Sequence, residues 1–367
     1  MNLQQLNLRN FRNYEEAKID FDPGVNLIVG DNAQGKTNLL EAIAYLGSGK
    51  SFRALKTSEM IRFGADFAEI EGNIFSQERQ QELRFLLFSG SRPRQIWRNG
   101  AKKKTAGDIA GVLPTVLFCP EDLMILKMGG QQRRRFGDNA LSGLRPNYEA
   151  ALTEYNRILD QKSRILKDHF ENPAILDILP EYNTRLCQVG ALLISYRARF
   201  YDALGKAAAR YHGQFSGGAE EFTLDYKTVS TVKDPFASVQ QLTQDLLDHL
   251  ERHYRAELET AQCLTGPHKD DFTVCLNGID LKSYGSQGQT RTSAISLKLA
   301  QRELMGREWG EEPVLLLDDV LSELDPGRQD FVLNQIVSGQ VFITCCEPGR
   351  FTRLGKTIEI TKGQIMN

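Results

Sequence analysis

The stretch GDNAQGKT, residues 30–37, constrains the fold of this chain more than any other part of its sequence. It matches the pattern GxxxxGK[ST] at every required position, follows the apolar run VNLIV and precedes the helical pattern NLLEAIAYLG. Glycines let a backbone curl until several N–H groups point at one phosphate, and the helix that follows adds its positive N-terminal end. The sequence therefore predicts a strand, a phosphate-binding loop and a helix. We expect Lys36 to contact the β- and γ-phosphates and Thr37 to ligate Mg²⁺.

A second stretch, VLLLDDV at residues 314–320, is an apolar strand that ends in two carboxylates. This is the pattern of a Walker B segment, in which a buried strand brings acidic side chains to the metal. We expect Asp318 to lie on the metal side, through a water molecule, and Asp319 to polarise the attacking water. The alternative is an ordinary buried strand with acidic turn residues, and the P-loop in the same chain disfavours it.

Two further stretches resemble motifs of ATP-binding-cassette (ABC) ATPases. SELD, residues 322–325, resembles the D-loop, which crosses the dimer interface in that class. YGSQGQTR, residues 284–291, resembles the signature motif, which caps the γ-phosphate of ATP bound to the opposite subunit. Ser286 offers a hydroxyl and Gly288 permits close backbone approach at a helix start. The alternative reading of this stretch is a simple N-cap turn.

Two departures from the transporter-type pattern predict slow hydrolysis. Asp319 stands where ABC ATPases usually have glutamate, and Thr344, in QVFITCC, stands where they usually have histidine. A shorter base and the missing histidine suit a switch better than a motor.

The order of the patterns predicts an α/β fold: an ABC-type ATPase head with a mixed sheet and a P-loop, assembled from N- and C-terminal segments, with an inserted helical arm. The predicted divisions are 1–127 (head, N-terminal part), 128–258 (arm) and 259–367 (head, C-terminal part). Seams at Tyr148, Leu152, Tyr155, Leu159 and Leu166, and from Leu186 to Leu204, predict a short antiparallel helical hairpin about 36 Å long. A third helix over 239–261 leads back to the head.

The apolar content, the cysteines and the histidines limit the cellular location and the cofactors that this chain is expected to have. No apolar run approaches a membrane span and the first residues have no secretory h-region, which predicts a cytoplasmic protein without a membrane partner. The six cysteines form no CxxC spacing, so we expect reduced thiols, with Cys345 and Cys346 as packing residues. His249 and His253 have metal-ligand spacing, but no third ligand is evident.

Net charge is −2, so the composition as a whole does not indicate nucleic acid. Residues 79–104 nevertheless hold eight basic side chains and one acidic one, and Arg133, Arg134 and Arg135 form a second cluster. Either a solvated face or a DNA surface would carry such charges.

Seven stretches in order closely resemble the RecF family of bacterial DNA replication and repair proteins across nearly the whole chain. They are LNLRNFRNY, GDNAQGKTNLLEAI, SFR, FCPEDL, TGPHKDDF, YGSQGQTR and LLLDDVLSELDP. The Asp318–Asp319 pair and the absence of the histidine fit that family.

The resemblance implies that ATP and Mg²⁺ are held by the loop, with Ser286, Gly288 and Gln289 acting in trans. The loop residues that it implies for nucleotide binding are Gly30, Asp31, Asn32, Ala33, Gln34, Gly35, Lys36, Thr37 and Asn38. Lys36, Asp318 and Asp319 are the implied catalytic residues, with Thr37 and Asp318 on the metal. Arg12 and Arg53 either approach the phosphates or lie on the surface.

The resemblance further implies an ATP-dependent DNA-binding protein with weak ATPase activity, which dimerises around two ATP molecules and serves gap repair and the SOS response. RecR is the implied direct partner and RecA loading the outcome; single-stranded, double-stranded and junction DNA all stay open. Three alternatives use the same motifs. An SMC/Rad50-like head needs a much longer coiled coil, a transporter ATPase normally keeps the histidine, and an ATP-gated scaffold never turns over.

Overall fold

The computed structural model describes residues 1–336, 338–346 and 353–366, and the chain divides into two compact units. The first unit comprises Met1–Leu123 and Lys298–Asn367, and the second comprises Met124–Leu297. The first boundary lies close to the point where the sequence changes from strand to helix periodicity. The second lies at 297/298, so residues 259–297 group with the helices by their contacts. The functional division into head and arm stays a prediction.

The N-terminal part is built mostly from strands. In chain order its elements are β1 (Asn2–Phe11), β2 (Tyr14–Asp20), β3 (Val25–Val29), α1 (Lys36–Ser48), β4 (Phe67–Ser76), β5 (Arg79–Phe88), β6 (Gln95–Arg98), β7 (Ala101–Lys103) and β8 (Thr115–Phe118). Six of the strands form an antiparallel sheet in the order β2-β1-β4-β5-β6-β7. Buried and partly exposed residues alternate along β4 and β5, the period of strands with one covered face.

The second unit is mainly helical. Its elements are α2 (Gly130–Leu144), α3 (Pro146–Asp168), α4 (Leu179–Ser216), β9 (Phe222–Lys227), α5 (Val239–Thr260), β10 (Asp271–Leu276), β11 (Ile279–Asp280), α6 (Leu281–Tyr284) and the first part of α7 (Gln287–Trp309). The three predicted long helices are confirmed. The predicted length of the second was wrong, because α4 has 38 residues, about 57 Å. Pro180 lies in its first turn, where the missing N–H costs no helical hydrogen bond.

The apolar seam of α3 differs in detail from its prediction. Ala151 and Ile158 are buried, whereas Leu152 and Leu159 are only partly covered. Lys162, which fills a seam position, is fully buried and donates from Nζ to Glu257 Oε2 at 2.6 Å. A buried ammonium group is tolerated there because it has a charged acceptor.

The C-terminal part completes a sheet begun by the N-terminal part. Its elements after α7 are β12 (Val314–Leu317), α8 (Pro326–Gln335), β13 (Val341–Cys345), β14 (Lys356–Thr361) and β15 (Gln364–Met366). The strand order is β15-β14-β3-β13-β12-β8, parallel throughout except for β15. Strands β3 and β8 precede the helical unit and β12–β15 follow it, which confirms the mixed α/β sheet assembled from both ends of the chain.

Because carboxyl ends of parallel strands share one edge, this order places the P-loop after β3, Thr344 in β13 and the two aspartates after β12 in adjacent positions. Among the described residues, no helix combines the length and apolar character that crossing a membrane requires.

Candidate nucleotide-binding and hydrolysis site

The P-loop connects β3 to α1, as predicted. Lys36 is the first residue of the helix and is largely buried. Its Nζ donates to the carbonyl oxygens of Gly30 at 2.6 Å and Asp31 at 3.0 Å, and lies 3.3 Å from Cys346 Sγ. Cys346 also contacts the side chain of Asn32, at 3.0 Å. The lysine charge is therefore held at the loop. Cys346 was predicted only as a packing residue, but it lies next to two residues of the loop.

Two loop glycines have backbone positions that other residues could not occupy. Gly35 has a φ of +121°, and a Cβ there would lie 2.7 Å from the side-chain nitrogen of Asn13. Gly30 has a φ of +157°, and its Cβ would lie 2.3 Å from the carbonyl oxygen of Ile360. The tight approach of neighbouring chain segments, and not only the curl of the loop, therefore requires glycine at both positions.

The turn after β1 braces the loop from outside. Asn13 Nδ2 donates to Gln34 O at 2.8 Å, and Tyr14 Oη donates to Gly35 O at 3.0 Å. Asn38 Nδ2 in turn donates to Asn13 Oδ1 at 2.8 Å. The FRNY pattern predicted a possible role at the phosphates for Arg12 alone, so the roles of Asn13 and Tyr14 were missed. A polar pair after a strand was the available signal.

The predicted Walker B residues meet the P-loop. Thr37 Oγ1 donates to Asp318 Oδ1 at 2.9 Å, and Thr344 Oγ1 donates to the same oxygen at 3.0 Å. Thr344 Oγ1 also accepts from the backbone N–H of Asp319 at 2.8 Å. Thr344 thus links both aspartates from the strand between them. Burial raises the pKa of Asp318, and the hydrogen bonds from Thr37 and Thr344 oppose that rise.

Asp319 lies at the end of the strand, half-buried, with a left-handed φ of +55°. Such a backbone is uncommon outside glycine, although aspartate tolerates it better than most residues. Asp319 is the N-cap of the short 3₁₀ helix Val320–Glu323, two residues after β12 ends. The SELD stretch follows, with Ser322 exposed and Asp325 capping α8 through its side chain.

The donor atoms at this edge fit a magnesium ion. Thr37 and Asp318 present a hydroxyl and a carboxylate oxygen within hydrogen-bonding distance of each other, and Mg²⁺ prefers such hard oxygen ligands. Since these two residues follow different strands, the sheet itself brings the proposed metal ligands together.

Arg12 and Arg53 converge on one carboxylate in α1. Glu41 is fully buried and accepts from Arg12 Nε and Nη2, both at 2.8 Å, and from Arg53 Nη2 at 3.0 Å. Ser51 Oγ donates to Glu41 at 2.5 Å, and Arg53 Nη2 also donates to Asn38 Oδ1 at 2.6 Å. Neither arginine is a free surface residue. Arg53 is positioned beside Asn38 of the P-loop helix and keeps two-fifths of its side chain exposed.

Glu41→Gln is expected to lower the free energy of unfolding by about 2 kcal/mol at pH 7, because it leaves two arginines without their shared charge. Burial by itself raises the pKa of Glu41, but the hydrogen bonds from Arg12, Ser51 and Arg53 outweigh it and lower the pKa. A lowered pKa stabilises the fold above the unfolded value of about 4.3, and the stabilisation is lost as pH falls through the folded value. The deficit of the variant should therefore shrink on acidification. Urea titrations between pH 7 and pH 3 measure it.

The matched control is Glu16→Gln, which removes an exposed carboxylate from β2 in the same unit. It should leave the unfolding free energy within about 0.5 kcal/mol of wild type. A Glu41→Gln deficit that stays constant with pH would contradict the assigned ion pairing.

The signature stretch belongs to the second unit and begins α7. Gln289 N donates to Ser286 Oγ at 3.2 Å, and Ser286 N donates to Gln289 Oε1 at 3.1 Å. This reciprocal pair is a capping box. The N-cap alternative is therefore correct as a description of the local structure, and the action in trans stays a prediction. Ser286 is exposed, Gly288 is half-buried, and Tyr284 is 80% exposed.

The basic residues of the first stretch differ in exposure and in their partners, and two of the exposed ones, Arg92 and Lys102, lie over the rings of Phe88 and Trp97. Arg94 donates to Tyr45 Oη at 2.9 Å, Arg98 donates to Gln81 Oε1 at 2.7 Å, and Arg84 pairs with Glu69. The exposed members of the first stretch are Arg79, Arg92, Lys102 and Lys104.

In the second cluster, Arg133 is buried in a bidentate pair with Asp271, with both distances at 2.6 Å. Both alternatives for Arg133, a solvated face and a DNA surface, are wrong, because its side chain is only 3% exposed and is paired with Asp271. Arg135 is exposed. The histidine pair has local partners: His249 Nδ1 lies 2.8 Å from Thr265 Oγ1, and His253 Nδ1 lies 2.8 Å from His249 O.

The P-loop follows β3 and the two aspartates follow β12, with β13 between these strands in a mixed sheet built from both chain ends. This arrangement defines an ABC-type ATPase head. The model of the RecF/RecN/SMC N-terminal domain matches residues 2–366. The chain belongs to the RecF family of bacterial proteins. It is 38% identical over 369 residues to the DNA replication and repair protein RecF of Agathobacter rectalis, covering 100% of this chain and 99% of that protein. It is 38% identical over 349 residues to that of Bacillus subtilis, covering 94% and 93%.

Solved structures agree with this assignment. The recombination mediator protein RecF-ATP in the RecFOR pathway superposes with a TM-score of 0.91 at 34% identity, covering 99% of this chain and 96% of that chain. The Smc head domain of Pyrococcus furiosus superposes with a TM-score of 0.56 at 17% identity, covering 99% and 94%, which shows a shared fold only.

Proposed function

We propose that this protein is an ATP-dependent DNA-binding protein of recombinational DNA repair and replication in the bacterial cytoplasm, with a weak ATPase activity that times its dimerisation. The observation that carries the ATPase part is the 2.9 Å contact between Thr37 and Asp318, which joins the P-loop to the acidic strand. The names of the RecF relatives and the ATP-bound RecF neighbour support the repair part. In this proposal the SOS response and gap repair are its setting, RecR is its direct partner and RecA loading its outcome.

The mechanism follows from the side chains at the edge of the sheet. Loop amides from Gly30 to Thr37 and the Lys36 ammonium hold the phosphates. A magnesium ion held by Thr37 and Asp318 would neutralise charge on the β- and γ-phosphate oxygens. Asp319 accepts a proton from water as the water oxygen attacks the γ-phosphorus, and the bond to the bridging oxygen breaks to release ADP.

Thr344 supports slow turnover in this scheme. Its hydroxyl is committed to Asp318 and to the backbone of Asp319, so it positions the aspartates. It also lacks the titratable ring that a histidine would offer to the γ-phosphate. Slow hydrolysis would let the ATP-bound dimer persist long enough to act as a switch.

Dimerisation is the part of the proposal that solution mass tests directly. Light scattering with Mg²⁺ should show a monomer without nucleotide and a doubled mass with ATP or a non-hydrolysable analogue. A mass that nucleotide leaves unchanged would contradict a dimer driven by ATP alone, and DNA or RecR would then have to bring two copies together.

DNA binding should depend on the exposed lysines of the first basic stretch. The double variant Lys102→Ala with Lys104→Ala is expected to weaken binding to DNA of any sequence. The slope of log affinity against log salt should become shallower by about 1–2, because each phosphate contact releases about one counterion and the variant makes fewer of them. Fluorescence anisotropy with labelled single-stranded, duplex and junction DNA over a salt series measures both.

The control removes two exposed lysines elsewhere, Lys18→Ala with Lys233→Ala. It changes net charge equally and should leave the slope within error of wild type. Equal slopes for wild type and the Lys102/Lys104 variant would remove this loop from the DNA surface.

A further inference from the structure

The side-chain amide of Gln289 is held at both ends. Its Oε1 accepts from Ser286 N at 3.1 Å, and its Nε2 donates to Glu220 Oε1 at 2.8 Å. Because the amide oxygen has a donor and the amide nitrogen an acceptor, the two contacts fix the orientation of the group. The signature turn is therefore held by a residue far from it in the chain as well as by its own capping box.

Glu220 is itself held by its other oxygen. Its Oε2 lies 2.9 Å from Nε2 of His212, a fully buried residue near the end of α4. The Glu220 carboxylate thus bridges α4 and the start of α7, with both oxygens engaged. Hydrogen bonds to an ionised carboxylate are stronger than those between neutral groups.

The neighbouring residue holds the segment that leads into the signature turn. Glu221 N donates to Asn277 Oδ1 at 2.8 Å, and Asn277 N donates to Glu221 O at 2.9 Å. Asn277 lies in the turn between β10 and β11, and β11 and α6 run directly into Ser286. Two consecutive residues therefore hold this stretch. Glu221 holds it near its beginning through backbone groups, and Glu220 holds it at its end through its side chain.

We propose that Glu220, supported by His212, is a positioning residue that holds the signature turn in the shape that meets the phosphate of a second copy. This rests on the proposed function, in which Ser286, Gly288 and Gln289 act in trans. Glu220 does not contact the nucleotide in this scheme. It lowers the cost of dimerisation because the turn is ordered before the second copy arrives.

The test compares Glu220→Ala with Glu221→Ala, the same change one residue along. The Glu221 side chain is exposed and its contacts to Asn277 are made by backbone. We expect Glu220→Ala to weaken the ATP-dependent dimer about 10-fold, because the charged hydrogen bond to Gln289 is lost. The affinity of the monomer for a fluorescent ATP analogue should be unchanged. Glu221→Ala should dimerise as wild type does. Glu220→Gln, which keeps an acceptor for Gln289, should lie between them.

Hydrogen exchange in the nucleotide-free monomer is the second readout. Amides of residues 286–290 should exchange faster in Glu220→Ala and not in Glu221→Ala. Unchanged exchange in both variants, or an equal increase in both, would overturn the proposal. If Glu220→Ala does not fold, Glu220→Gln carries the same comparison. If wild type itself fails to dimerise with ATP, the proposed dimer driven by ATP alone fails, whereas monomer exchange still decides whether Glu220 holds the turn.

Discussion

Asp319→Asn is expected to slow ATP hydrolysis by about 10²–10³-fold, with nucleotide affinity within about twofold of wild type. The amide keeps the size of the side chain but cannot accept a proton from the attacking water. The contact of the Asp319 backbone with Thr344 uses the main-chain N–H, so the substitution leaves it in place. Single-turnover hydrolysis and titration with a fluorescent ATP analogue separate the two quantities.

The same variant should form a longer-lived dimer with ATP, because the step that ends the dimer is slowed. Asp160→Asn, the same change at an exposed position of α3, is the control and should turn over as wild type does. Unchanged hydrolysis in Asp319→Asn would refute its role as base. Unmeasurable turnover in wild type and variant alike would favour an ATP-gated scaffold.

Ser286→Arg is expected to weaken the ATP-dependent dimer by at least about 100-fold, which at micromolar protein abolishes it in light scattering. Ser286 is exposed at the start of α7, and the proposed role of Gly288 requires close approach of this backbone to phosphate. A side chain as large as arginine would keep the two surfaces apart. Binding of ATP to the monomer should be unchanged, since the P-loop belongs to the other unit.

Ser286→Ala is the control for local structure. It removes the N-cap hydroxyl, which costs about 1 kcal/mol, without adding bulk. It should weaken the dimer far less than Ser286→Arg does. A normal dimer in Ser286→Arg would show that the capping box is the whole function of this stretch.

Local sequence patterns predicted the elements of the site because each pattern reflects a short-range physical requirement. The P-loop needs particular residues at fixed spacing, and a buried strand must be apolar until its acidic end. Periodicity also gave the three long helices. The predicted seam of the second helix starts only at Leu186, whereas α4 starts at Leu179, because Pro180 is compatible with a first helical turn as well as with a loop.

Several residues around the site could not be predicted because their roles depend on strand order. Thr344 was noted only as a missing histidine, yet β13 lies between β3 and β12 and makes it the bridge between both aspartates. Asn13 and Cys346 reach the loop from other segments of the chain, and Arg12 and Arg53 reach Glu41 from segments on either side of the loop. Nothing in their local sequence indicates which segment they will face.

The charged residues show the same limit. Arg133 and Arg135 are two positions apart in one run, and one is buried against Asp271 while the other is exposed. Composition counts both as positive surface, whereas helix geometry turns them to different faces.

The sequence by itself determined the class of site, the nucleotide it suits and the split of the sheet between the two chain ends, since motif spacing and hydrophobic period are local properties. Only the tertiary structure decided which strands are neighbours, which arginines are paired and that Glu220 holds Gln289. Those facts depend on contacts between residues tens to hundreds of positions apart, and such contacts are set by how the whole chain packs.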